Sequence, residues 1–260
     1  MKYTLLPISS NLQKSLFDPR ILEYETLSGS RPLPLPKLNL QYLTIPDFLY
    51  RSFLLSRYES LYQVRSDITD VLRRMKPEIQ YPLGNTVFTG YSKMAIQVPK
   101  ISIMEVSPPR VGEAWPSLVR GEVYLDLESL PMNARKEWSH IRQDDVVFLL
   151  SVKLDEKTTN GVTDNAKELG VRFIRTAEIA QVLDEEGRPL KNGGQEDLDG
   201  RFLVPRKRTL KLRLDARQWK EDNVLTVAGK LEDVYDSINI VVRRKAEVRT
   251  NLWGCLTLDE

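Results

Sequence analysis

The sequence predicts a mainly β protein with some helix: an antiparallel β-barrel of about seven or eight strands mounted on a long N-terminal helix. Three observations carry that expectation. Apolar residues recur at three- and four-residue steps between Leu54 and Met75, the period switches to two beyond Gly84, and the segments with that period are joined by irregular connections. Such a set of strands favours a closed barrel, which removes exposed edges, over a two-layer sandwich.

In chain order, residues 1–43 read as an extended connector that closes in RPLPLPKLNL, where Pro32, Pro34 and Pro36 forbid helix. Residues 44–77 read as the stalk helix. Thr44 with Asp47 suits its cap, Pro46 fits its first turn, and Pro77 stops it near Lys76. At 1.5 Å per residue this is a rod of roughly 45 Å. Its apolar stripe is Leu54, Tyr58, Leu61, Ile68, Leu72 and Met75, and Arg65 stands where an apolar residue is due. That face is therefore expected to meet another surface, with Leu54, Tyr58, Leu61 and Arg65 as the partner-contact candidates. The remaining charges on the helix, Arg51, Arg57, Arg73, Arg74 and Lys76 set against Asp47, Glu59, Asp67 and Asp70, are mixed in sign and read as a solvated face.

Residues 84–245 read as the barrel. Val119, Gly121, Val123, Leu125 and Leu127 alternate with Arg120, Glu122, Tyr124 and Asp126, a strand with one wet face. Further strands are expected around 86–92, 95–106, 145–153, 171–183, 207–214 and 236–244. Short helices are expected at Asn133–Ile141 and, behind an Asp215 cap, at Ala216–Glu221. Asn192–Gly200 (NGGQEDLDG) and Asn160–Ala166 (NGVTDNA) read as loops.

Composition narrows the function. Thirty-eight Lys plus Arg stand against 36 Asp plus Glu, a net charge of +2, so any nucleic-acid footprint must be local. One cysteine, Cys255, and one histidine, His140, cannot supply a structural zinc site, and a lone cysteine suits a reducing compartment. No signal peptide or span of about 18 apolar residues stands out, which predicts a soluble, intracellular chain without membrane contact. There is no glycine-rich phosphate loop; Val227-Ala228-Gly229-Lys230 lacks both its first glycine and its hydroxyl residue. Val182-Leu183-Asp184-Glu185-Glu186 ends in acids but runs into Gly187, Arg188 and Pro189, a hairpin turn. His140, near Asp144 and Asp145, reads as a packed or capping residue, and Cys255 as inert. Neither a catalytic residue, a metal nor a cofactor is expected. An independent nuclease built on Asp184 and Glu185 ranks last.

The best recognition chemistry lies at Arg206, Lys207, Arg208, Lys211 and Arg213, with Arg243, Arg244 and Lys245 as additions. If Leu210, Leu212 and Leu214 point inward, Lys207, Thr209, Lys211 and Arg213 share the outer face. Cations spaced by roughly 6.6 to 6.8 Å could follow a phosphate backbone without reading bases. The alternative is a solvated, charge-balanced face, and no aromatic interleaves that row for stacking.

A string of collinear blocks adds a resemblance. Residues 33–77 (LPLPKLNLQYLTIPDFLYRSFLLSRYESLYQVRSDITDVLRRMKP), VFTGYSKMA, VSPPRVGEAWPSLVRGEVYLDL, EWSHIRQDDVVFLLSV, RTLKLRLDARQWKED and EDVYDSINIVVRRK resemble, in order, the β-barrel region and preceding stalk helix of the Aquarius family of spliceosomal RNA helicases. In that family the barrel lies between a helical-repeat region and two RecA-like motor domains, whose residues have no counterpart here. The resemblance implies a non-catalytic accessory domain acting in pre-mRNA splicing in the nucleus, with spliceosomal proteins and, weakly, intron RNA as partners. A pure protein-interaction scaffold is the alternative. The tail 246–260 departs from the family pattern, so the chain is expected to be a fragment, a truncated gene model or a shortened paralogue.

Overall fold

The structure, a computed structural model, describes residues 44–80, 85–154, 170–190 and 206–243. The N-terminal connector, the two glycine-bearing loops and the C-terminal tail lie outside the described residues. Helix α1, Ile45–Met75, begins where extended Thr44 accepts the Asp47 amide at 3.4 Å, with Pro46 in its first turn. It ends where Lys76 turns left-handed at φ 45° and gives its amide to the Leu72 carbonyl. No described helix is long and apolar enough to cross a membrane.

Strands β1, Pro77–Gln80, and β2, Asn85–Phe88, form a small antiparallel pair. There follow β3 (Ala95–Gln97), β4 (Ile101–Pro109), β5 (Pro116–Asp126), α2 (Met132–Ser139), β6 (Val146–Val152) and β7 (Val171–Leu183). The chain continues through β8 (Lys207–Leu214), α3 (Ala216–Val227), α4 (Val234–Ser237) and β9 (Ile240–Arg243). The main sheet has seven strands in the order β3-β9-β6-β7-β8-β5-β4, antiparallel throughout.

Three expectations need correction here. The segment 95–106, expected as one strand, is two: β3 pairs with β9, a pairing that the Val98 amide extends to the Asn239 carbonyl at 2.9 Å, and it breaks at Pro99, which has no amide to give. The chain thereby passes from one edge of the sheet to the other. Closure by hydrogen bonds is therefore not achieved: no described ladder joins β3 to β4. The sheet still rolls around one core, since Ile96 of β3 and Ile101 of β4 share a cluster with Val123, Leu149, Ile179, Leu212 and Val241. The segment expected as a strand from 236 shortens to β9 because Asp233 caps the Tyr235 and Asp236 amides and starts α4.

A second cluster lies on the outside of the roll. Val64, Ile68, Val71, Leu72 and Met75 of α1 pack on Phe148, Leu150 and Val152 of β6, Ile174 of β7, and Ile240 and Val242 of β9. Strand β6 is thus covered on both faces, which explains its unbroken apolar run VVFLLSV. Each such side chain fully withdrawn from water contributes about 1.5–3 kcal/mol. The stripe residues Ile68, Leu72 and Met75 consequently meet this chain's own sheet, and not a foreign surface.

Candidate nucleic-acid interface

Strand β8 is regular, so its alternation decides which cations reach solvent. Leu210, Leu212 and Leu214 are buried, and Lys207, Lys211 and Arg213 are exposed on the opposite face with half-buried Thr209 between them. Arg208 shares the parity of the leucines and is only 5% exposed. Burial holds its guanidinium below the ordinary arginine value, opposed by nearby Asp184. Its Nε and Nη1 meet no hydrogen-bond partner among the described residues. Arg243, at 9%, is buried on β9 and its Nη1 donates to the Glu137 carbonyl. Both therefore leave the set of outward cations, because a run of basic letters says nothing about strand parity. Arg206 is exposed just before β8, and its amide donates to Glu185 Oε1 at 3.0 Å. Arg244 and Lys245 lie outside the described residues.

The outer face that remains is a charge ladder. Strand β5 places Arg120, Glu122, Tyr124 and Asp126 opposite Arg213, Lys211, Thr209 and Lys207. Arg213 Nη1 reaches Glu178 Oε2 of β7 at 3.2 Å, and Arg120 Nη1 reaches Glu105 Oε2 of β4 at 2.9 Å. Partial burial, with nearby Asp144, holds the Glu178 carboxyl above the ordinary glutamate value, and Arg213 opposes this only in part. Among the described residues neither Lys207 nor Lys211 forms an ion pair. Tyr124, 42% exposed, stands between the acids on β5. The alternation of β5 already set it on the wet face, but its neighbours on β8 depend on strand register, which the sequence does not show.

The partner-contact candidates divide. The side chains of Leu54, Tyr58 and Leu61 lie outside the described residues, and Arg65 is half-buried on α1. At the start of that helix Ile45, Phe48, Leu49 and Tyr50 are exposed. Elsewhere the acids have structural work. Asp184 Oδ1 accepts the Glu186 and Arg188 amides in a turn that carries Gly187 at φ 78°. His140 caps α2, its Nδ1 donating to the Lys136 carbonyl at 2.6 Å. A groove of about 350 Å³ between β4, α3 and α4 holds Asp222, Asp233 and Asp236. Asp222 pairs with Arg175, Asp236 with Lys100, and Asp233 caps α4. Among the described residues, no group of three or more His, Cys, Asp and Glu could hold a metal ion.

Against this geometry the sequence profile described as "Intron-binding protein aquarius, beta-barrel" matches residues 76–244. The chain belongs to the aquarius family. It is 37% identical over 237 residues to the RNA helicase aquarius of Mus musculus, an overlap covering 90% of this chain and 16% of that protein. The chain thus spans a small part of the relative's length. The aquarius barrel profile encloses the nine strands of the described residues, from Pro77 to Arg243, and with them Lys207, Lys211 and Arg213. The longer aquarius overlap necessarily includes α1, which the profile leaves out.

Proposed function

We propose that this chain is a non-catalytic accessory β-barrel domain of an aquarius-type spliceosomal RNA helicase. It acts in pre-mRNA splicing in the nucleus, through contacts with spliceosomal proteins and weak, backbone-directed contact with intron RNA. The observation that carries this reading is the 37% identity over 90% of the chain to a protein named as an RNA helicase, within a family described as intron-binding. The outward cations of β8 support the RNA contact and also limit it. Arg213 is already engaged by Glu178, and Glu122 and Asp126 face Lys211 and Lys207 across the strands. Few phosphates can then be neutralised, and each contributes a slope of about −0.7 in log affinity against log salt on a single strand. Binding of a labelled single-stranded RNA to the full 260-residue chain, titrated across salt concentrations, is expected to be weak and salt-sensitive. It should fall further when Lys207, Lys211 and Arg213 become Glu. Binding that is unchanged by the triple substitution would overturn the RNA contact.

A second reading, a protein-interaction scaffold without RNA binding, is favoured by the exposed Ile45, Phe48, Leu49 and Tyr50 at the start of α1. Capture of spliceosomal proteins by the parent chain, lost in an Ile45→Asp/Leu49→Asp variant while the parent fails to bind RNA, would select it.

A further inference from the structure

A strand of alternating lysines is a poor ligand for single-stranded nucleic acid when it offers charge alone, because exposed acids around it return much of the attraction. What converts such a face into a single-strand site is an aromatic ring on which a base can lie, since stacking does not depend on the net charge beneath it. Strand β8 supplies no ring. The register of the sheet brings one in from the neighbouring strand: Tyr124 of β5 lies directly opposite Thr209, so that Lys207 and Lys211 stand at the two diagonal positions beside it. Tyr124 is 42% exposed on the outer face. The two lysines are exposed, and among the described residues neither is drawn into an ion pair. Along the strand their α-carbons are about 13 Å apart, a cation on either side of the ring. Thr209, half-buried between the lysines, leaves no long side chain opposite the ring.

From this juxtaposition we infer that Tyr124, Lys207 and Lys211 form a stacking site for single-stranded RNA, in which one base lies on the Tyr124 ring and the flanking phosphates meet the two ammonium groups. The inference rests on the RNA contact proposed above and assigns it a centre. It also fixes a division of labour: Tyr124 recognises the presence of an unpaired base, and the lysines recognise only phosphate. Arg120 and Arg213, held by Glu105 and Glu178, border the site without entering it.

The test uses the full chain with a fluorescent uridine dodecamer at low salt, a counterpart carrying abasic positions at its centre, and a fully paired duplex of the same length. Tyr124→Ala is expected to weaken binding of the uridine strand by about 5-fold or more, as stacking energies require. It should leave the abasic strand unaffected, and Tyr124→Phe should restore parental affinity. Lys207→Glu/Lys211→Glu should weaken both strands, and the parental salt slope should lie near −1.4, the value for about two phosphate contacts. If Tyr124→Ala binds the uridine strand like the parent while the lysine variant does not, the stacking site is overturned and the backbone contact stands. A duplex bound as tightly as the single strand would also overturn it. If the parent binds neither strand at low salt, the RNA contact itself falls. Unchanged thermal melting of each variant guards against loss of fold, since all three side chains point outward.

Discussion

Toward one end of the rolled sheet Arg175 turns inward and donates from Nε and Nη2 to the two oxygens of Asp222, at 2.7 Å each. Its Nη1 donates to the Ile174 carbonyl, Gln218 Nε2 donates to Asp222, and the Phe173 ring lies 5.6 Å from the guanidinium. Fork-to-fork pairing of this kind satisfies a charge that burial alone would penalise. Tyr235 completes the group, and burial with the neighbouring Asp222 carboxylate pushes its hydroxyl far above the ordinary tyrosine value. The consequence for stability has a definite sign. Below about pH 10, the unfolded value, folded and unfolded chains both keep this proton and its contribution is intact. As pH rises past that point the unfolded chain releases the proton and the folded chain does not, so stability falls. Denaturant midpoints measured through the alkaline range should therefore drop more steeply for the parent than for Tyr235→Phe. Gly90 makes a different kind of demand. A Cβ there would lie 1.9 Å from the Arg74 carbonyl oxygen, at the point where the Gly90 amide bonds the Met75 carbonyl at 2.9 Å. Because the obstacle is backbone, Gly90→Ala should lower stability by about 1–3 kcal/mol in a thermal or chemical melt.

Helix α1 and strand β6 explain each other at the scale of elements. The helix contributes Val64, Ile68, Val71, Leu72 and Met75, and the strand answers with Phe148, Leu150 and Val152. Truncating Leu72 or Ile68 to Ala should cost about 2–5 kcal/mol each, and the paired variant should free the end of the helix, seen as faster amide exchange along α1 with the inner strands still protected. The long helix was legible because its signals are local: Thr44, Pro46 and Pro77 mark its ends without help from the rest of the chain. Strand β8 was legible for a similar reason, its alternation being uninterrupted over 207–214, whereas the alternation of β7 is broken where its register with β8 shifts between Ile179 and Gln181. Where a distant atom decides, the sequence was silent. The pairing of β3 with β9, which the Val98 amide extends to the Asn239 carbonyl, joins segments far apart in the chain. Helix α3 runs on to Val227, beyond the expected Glu221, with Trp219 packed on the inner core.

For the whole molecule, a net charge of +2 leaves the two signs nearly balanced, and among the described residues both signs interleave on the outer face of β4, β5, β8 and β7. Composition could foretell that balance, and the alternation of β8 could foretell which of its residues face out. The loss of Arg208 and Arg243 to the interior follows from parity and from the packing of β9, and the pairing of Tyr124 with the lysines follows from register; none of these is visible in a list of basic residues. The family-matched block begins at residue 76, one position beyond the last residue of α1. Yet the greasy flank formed by Phe148, Leu150, Ile174, Ile240 and Val242 is shielded by that helix. A protein trimmed where the barrel profile begins would expose this flank to solvent and tend to stick to its own copies, so the physical unit of this domain starts at the rod and not at the first strand.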